Sequence, residues 1–166
     1  MLRRHAVDPV MERQLYSLEL GSAGPVPSLE LPSKNFACLF VCDARGLSTE
    51  GVVSLVEPLL RAGASYFVCW GPDCERVHDI VDELTSKPQN AFGIPADSCV
   101  MTTWHSSESL QEALWFFLAA SLPDEHYLDS TRAGLAVSVG SASWAAEIAQ
   151  ALDRPQEFVG AASENE

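Results

Sequence analysis

Basic residues are scarce in this chain: ten Lys and Arg stand against 23 Asp and Glu, a formal charge of −13 over 166 residues. The imbalance is uneven. Residues 1–35 are neutral, with Arg3, Arg4, Arg13 and Lys34 offsetting Asp8, Glu12, Glu19 and Glu30, so the negative charge all lies beyond them. Phosphate backbones are bound by basic stripes that release counterions. No such stripe exists, which argues against nucleic acid and against an anionic membrane as direct partners. A basic protein partner fits the charge, because opposite fields speed encounter, although solubility alone also accounts for it.

Long apolar runs are missing as well. Ala113–Ala120 is the longest, far short of the roughly 20 residues that cross a bilayer. No apolar segment of signal-peptide type follows Arg3 and Arg4. The five cysteines (Cys38, Cys42, Cys69, Cys74 and Cys99) are an odd number, and four of them fall in expected buried strands. That argues against a disulfide framework and for a reducing compartment. The expected location is therefore the cytoplasm. The chain also lacks G-x-G-x-x-G and G-K-[ST], so it carries neither a dinucleotide fingerprint nor a P-loop.

What is present is globular: 47% hydrophobic and 20% charged residues, at a length that suits one domain. Residues 1–35 read as an arm and a Pro/Gly linker, in which Gln14–Leu20 alternates weakly enough to add an edge strand. Residues 36–152 read as a single α/β domain. Residues 153–166 read as a polar, frayed tail. Four short apolar runs, Phe36–Cys42, Tyr66–Trp70, Cys99–Thr103 and Leu135–Val139, are continuous rather than alternating, as in strands covered on both faces. Helices are expected over about Ser48–Arg61, from Pro72, over Ser107–Ser121 and over Ser141–Leu152. The alternation predicts a three-layer, doubly wound, mostly parallel sheet of about four strands, Rossmann-like or flavodoxin-like.

In such sheets ligands bind beyond the carboxyl ends of the strands. That edge gathers Asp43; Trp70, Asp73, Cys74, Glu75 and His78; Trp104, His105 and Glu108; and Ser141, Ser143 and Trp144. Cys74 in the first turn of a helix is favoured as a thiolate, with His105 as base and Asp43 or Glu108 to orient it. Asp73 and Glu75 oppose that charge, and the apolar face through Val77, Val81 and Leu84 makes Cys74 equally a core residue. Cys74, His78 and His105 are also a candidate zinc set, although neither a second CxxC nor an HxxxH accompanies them. Ser141 or Ser143 would bind an anion at a helix start or simply cap the helix. Trp70, Trp104 and Trp144 would floor a pocket or plug the core. The wide apolar girdle of the third helix makes Trp115 and Phe116 candidates for a homodimer interface or for contact with the N-terminal arm.

The strings Trp70-Gly-Pro-Asp-Cys-Glu-Arg-Val-His-Asp79 and Thr103-Trp-His-Ser-Ser-Glu-Ser-Leu-Gln-Glu-Ala113 resemble those of a small uncharacterised bacterial Rossmann-like family, a domain of unknown function, over about residues 36–122. The resemblance implies the fold and a bacterial origin, and it transfers no catalytic residue. Two functions compete on the residues alone. One is a small-molecule or metal site at the carboxyl edge, with an enzyme among the options. The other is an acidic binding protein of immunity or inhibitor type that masks a basic partner.

Overall fold

The computed structural model describes residues 1–22, 24–86 and 91–164. Six strands, β1 Leu2–Val7, β2 Gln14–Leu20, β3 Asn35–Cys42, β4 Ala64–Trp70, β5 Met101–Trp104 and β6 Thr131–Val139, form one sheet in the order β1-β2-β6-β3-β4-β5. Among the described residues five α-helices accompany them: α1 Thr49–Arg61, α2 Cys74–Thr85, α3 Leu110–Ala119, α4 Ala142–Asp153 and α5 Pro155–Glu164. All neighbouring strands run parallel except β1 and β2. The mixed α/β, mostly parallel reading is correct, with six strands in place of four.

β3 shows why its run is apolar throughout. Successive side chains point to opposite faces of a sheet, and both faces are covered. Phe36, Cys38, Phe40 and Cys42 enter one core with Val52, Leu55, Val56 and Leu59 of α1 and Val77 and Val81 of α2. Ala37, Leu39 and Val41 enter a second core with Leu114 and Phe117 of α3 and Ile148 and Leu152 of α4. Gly134 in β6 is part of that fit, because a Cβ there would lie 2.9 Å from Leu15 and 3.0 Å from Phe117.

The N-terminal residues differ from the expected arm. β2 is internal, antiparallel to β1 on one side and parallel to β6 on the other. The true edge, β1, is masked in the sequence by a bulge: Arg4 pairs with Tyr16 and Val7 with Gln14, so His5 and Ala6 together oppose Leu15. An extra residue of this kind breaks the period-2 pattern. The proline-rich stretch after β2 is not a free linker either, since Val26, Leu29 and Leu31 pack on the α1–α2 core.

The C-terminus differs too. The expected tail forms α5, with Pro155 at its start, where a missing N–H costs nothing, and with Phe158 and Val159 against the second core. The third expected strand shifts to Met101–Trp104 and leaves Cys99 exposed outside it. β5 is an edge strand that pairs only with β4, so Met101 and Trp104 remain exposed. α2 begins at Cys74 rather than Pro72, after a turn in which Gly71 and Asp73 both take positive φ. Among the described residues, no helix is long and apolar enough to cross a membrane.

Candidate functional site

The carboxyl ends of β6, β3, β4 and β5 lie along one rim, and side chains close much of it. Trp70 and Trp144 meet edge to face, 5.3 Å between ring centroids, and the Trp70 indole N–H donates to the Glu108 carbonyl at 2.8 Å. Trp104 does not join them. It stands 45% exposed on β5 and packs on the His78 ring at 4.5 Å. The three tryptophans therefore share no floor. Gly71 brings the β4–α2 turn against β3, where a Cβ would strike the Cys42 carbonyl oxygen.

Arg76, which sequence reasoning passed over, fastens this rim. Its guanidinium donates to the Asp73 carboxylate at 2.7 Å, to the Leu47 carbonyl at 2.8 Å and to the Ala44 carbonyl. It thereby ties the start of α2 to the loop before α1. A guanidinium offers five donors in a fixed fork, and this contact uses several. Asp43 is held by Arg45, at 2.7 and 3.0 Å, and that hydrogen bond keeps its carboxyl below the usual range. Glu75 is exposed on the first turn of α2.

Cys74 is 1% exposed in the α1–α2 core, and burial raises its pKa more than backbone hydrogen bonding lowers it. Cys42 is pushed up to about 11, chiefly by burial, with Asp43 adding to the shift and Arg76 opposing it. Neither thiol has the electropositive, open setting that favours a thiolate. His78 bonds along its own helix, at 3.0 Å from Asp79 and 3.4 Å from Asp82. Among the described residues, no three His, Cys, Asp or Glu side chains are placed to hold a metal ion, so the Cys74, His78 and His105 set is not assembled for zinc.

His105 does form a defined unit. Its Nδ1 lies 2.7 Å from the Glu108 carboxylate and its Nε2 lies 3.0 Å from the Thr103 hydroxyl. The Thr103 hydroxyl also hydrogen-bonds Tyr66. The ring is buried and packs on Phe116 at 4.7 Å, while Glu108 reaches the surface. Ser141 caps α4 by accepting from the Trp144 N–H at 3.3 Å, with Ser143 3.1 Å away. The cap therefore accounts for Ser141, and Ser143 touches it only through that hydroxyl contact.

The open surface lies beyond this rim, between α3 and α5. A cleft of about 820 Å³ is walled by Trp115, Phe116 and Phe158 and edged by Glu108 and Glu112. It shares Gln111 and Phe158 with a neighbouring cleft of about 660 Å³ at Glu147, Asp153, Arg154 and Glu157. The sequence picked out Trp115 and Phe116 but missed α5, although Phe158-Val159 in a polar stretch is a usable signal for a docked helix. A second polar row, Ser17, His5 and Asp153, sits at the β1–β2 hairpin. It joins residues up to 148 positions apart, which no local spacing reveals.

Comparison with curated proteins returned no match, and comparison with solved structures returned none either. A family profile matches residues 15–155, which spans the sheet from β2 through α4. The chain belongs to the DUF7684 family, a domain of unknown function.

Proposed function

We propose that this domain binds a basic, apolar-faced segment of a partner protein in the groove between α3 and α5. The observation that carries the reading is the pairing of an aromatic wall with an acidic rim. Trp115, Phe116 and Phe158 supply apolar contact area. Glu108, Glu112, Glu147 and Glu157 line the joined clefts with Arg154, while Asp153 beside them is already paired with Arg3. Desolvated aromatic anchors hold a partner, and the surrounding charge sets its encounter rate and selectivity. The same rim disfavours a homodimer through Trp115 and Phe116, because a two-fold interface sets like patch against like patch.

The test is a titration of tryptophan fluorescence with a synthetic amphipathic peptide of leucine and lysine, using Trp115→Phe to assign the signal. Saturable binding that weakens steeply with salt, and that Phe158→Ser abolishes, supports the reading. Equal binding of a scrambled peptide of the same composition would sink it. A stable dimer at low concentration without peptide would transfer the groove to a second copy.

A further inference from the structure

The β1–β2 hairpin carries a hydrogen-bonded row that ties it to the end of α4, 148 positions further along the chain. The His5 Nδ1 lies 2.6 Å from one Asp153 carboxylate oxygen, and its Nε2 lies 2.7 Å from the Ser17 hydroxyl. Arg3 donates to the other Asp153 oxygen at 2.9 Å. The His5 side chain is fully buried. An ionised carboxylate only accepts, so Nδ1 carries a proton facing Asp153, and the tautomer that leaves Nε2 bare lets it accept from the Ser17 O–H. Asp153 is held ionised below its ordinary range, first by the His5 hydrogen bond.

We propose that Ser17, His5 and Asp153 form an acyl-hydrolase site that acts on short-chain esters in the cleft between the hairpin and α4. The bulge at His5 and Ala6 re-aims the strand at the position where the ring must reach across to Ser17. Ser17 opens into a cleft of about 430 Å³, whose α4 wall is built from Ala142, Ala145, Ala149 and Ile148. Small apolar side chains there leave room for a short aliphatic acyl group. Arg3 pairs with Ser17 across the strands and lines the same cleft, which puts a guanidinium with N–H groups beyond the one bonded to Asp153 beside the reacting centre.

The chemistry balances within these groups and water. The Ser17 oxygen attacks the ester carbonyl carbon as its proton passes to His5 Nε2. The bond to the alcohol breaks and the alcohol leaves with that proton. Water then gives a proton to His5, adds to the acyl-serine and releases the acid, and the serine oxygen recovers its proton from His5.

Labelling with a fluorophosphonate, read by intact mass and peptide mapping, tests this. The expected result is one adduct per chain on Ser17, none in Ser17→Ala, and undiminished labelling in Ser54→Ala on α1. His5→Gln and Asp153→Asn should slow labelling by about 10²-fold or more, the usual share of a general base. No adduct on Ser17 in the folded protein, or labelling that His5→Gln leaves unchanged, overturns the proposal. Where circular dichroism shows that His5→Gln has not folded, Ser17→Cys carries the test. In a working row its thiol alkylates with iodoacetamide faster than Cys99, and alkylation no faster than at Cys99 overturns the proposal.

Discussion

Two histidines in this protein make nearly the same hydrogen bonds in opposite settings. His105 at the end of β5 and His5 on β1 each set Nδ1 within 2.7 Å of a carboxylate and Nε2 within 3.0 Å of a hydroxyl. The His105 row is local, its carboxylate three residues along the chain, and its hydroxyl is shared with Tyr66. The His5 row spans the chain and ends on a serine that lines a cleft. Equal hydrogen-bond geometry therefore does not mean equal access. A row that ends among satisfied side chains stabilises packing, whereas one that ends in open space has somewhere to put a substrate.

The largest expected effect concerns what holds the hairpin in place. Arg13 is 2% exposed and donates to the Ser121 hydroxyl at 2.9 Å and to the Ser121 carbonyl at 2.7 Å. It also opposes the burial that raises the pKa of Asp8, one of whose carboxylate oxygens is buried without a hydrogen-bond partner. Arg13→Met should cost about 1–3 kcal/mol in urea unfolding, because it leaves the buried Ser121 carbonyl without its donor. A cost near zero would mean that the hairpin is held by its strand ladder alone, and the distinction between an anchored and a packed row would lose its basis.

The carboxyl rim offers the next test. Gly71 has φ of +119° and no room for a Cβ beside the Cys42 carbonyl. Gly71→Ala should therefore cost about 1–3 kcal/mol from strain at an unfavourable φ, seen as a lower melting temperature. An unchanged melting temperature would show that the rim is loose enough to admit a ligand. Thiol access makes the same point more gently. In the folded protein Cys99 is exposed and Cys38, Cys42, Cys69 and Cys74 are buried, so an Ellman titration should find one reactive thiol per chain. A fast second thiol on Cys74 would reopen the rim as a site.

These differences also mark how far the sequence could be read. Continuous apolar runs identified β3, β4 and β6 because burial on both faces removes polar residues from a strand. The capping candidates Ser48 or Thr49 and Ser141 or Ser143 bracketed the starts of α1 and α4, and the structure selects Ser48 and Ser141. β1 was illegible because its bulge breaks the alternation, whereas α5 left a faint signal in Phe158 and Val159, the residues that pack it against the second core. At the rim, the rule that ligands collect beyond strand ends gathered suitable residue types. The tryptophans were legible as either a pocket floor or a plug, but nothing in the sequence showed that Arg76 would fasten the turn between them. The Ser17, His5 and Asp153 row was beyond reach for a different reason. It exists only once β1 has paired with β2 and α4 has ended beside them.

The smallest effect separates the two regions by pH and salt. Asp153 at the hairpin and Asp43 at the rim both titrate below 3.8 in the fold, the first mainly through His5 and the second through Arg45. A lowered carboxylate contributes stability that is complete above its unfolded pKa and disappears as pH falls through the folded one. Asp153→Asn and Asp43→Asn should both be less stable than the parent at about pH 6, and the gap should narrow as the pH falls below 3.8 and through the lowered folded pKa of each group. Salt should divide them. The Asp43–Arg45 pair lies on the surface, where the Debye length is about 3 Å at 1 M salt, so its gap should largely vanish there. The Asp153 gap should persist, because its first partner is the buried ring of His5. Urea midpoints across that pH range, with and without salt, measure both. Equal salt sensitivity would mean that solvent reaches the His5 bond as freely as it reaches Arg45, and the hairpin row would then be a surface contact with no bearing on catalysis.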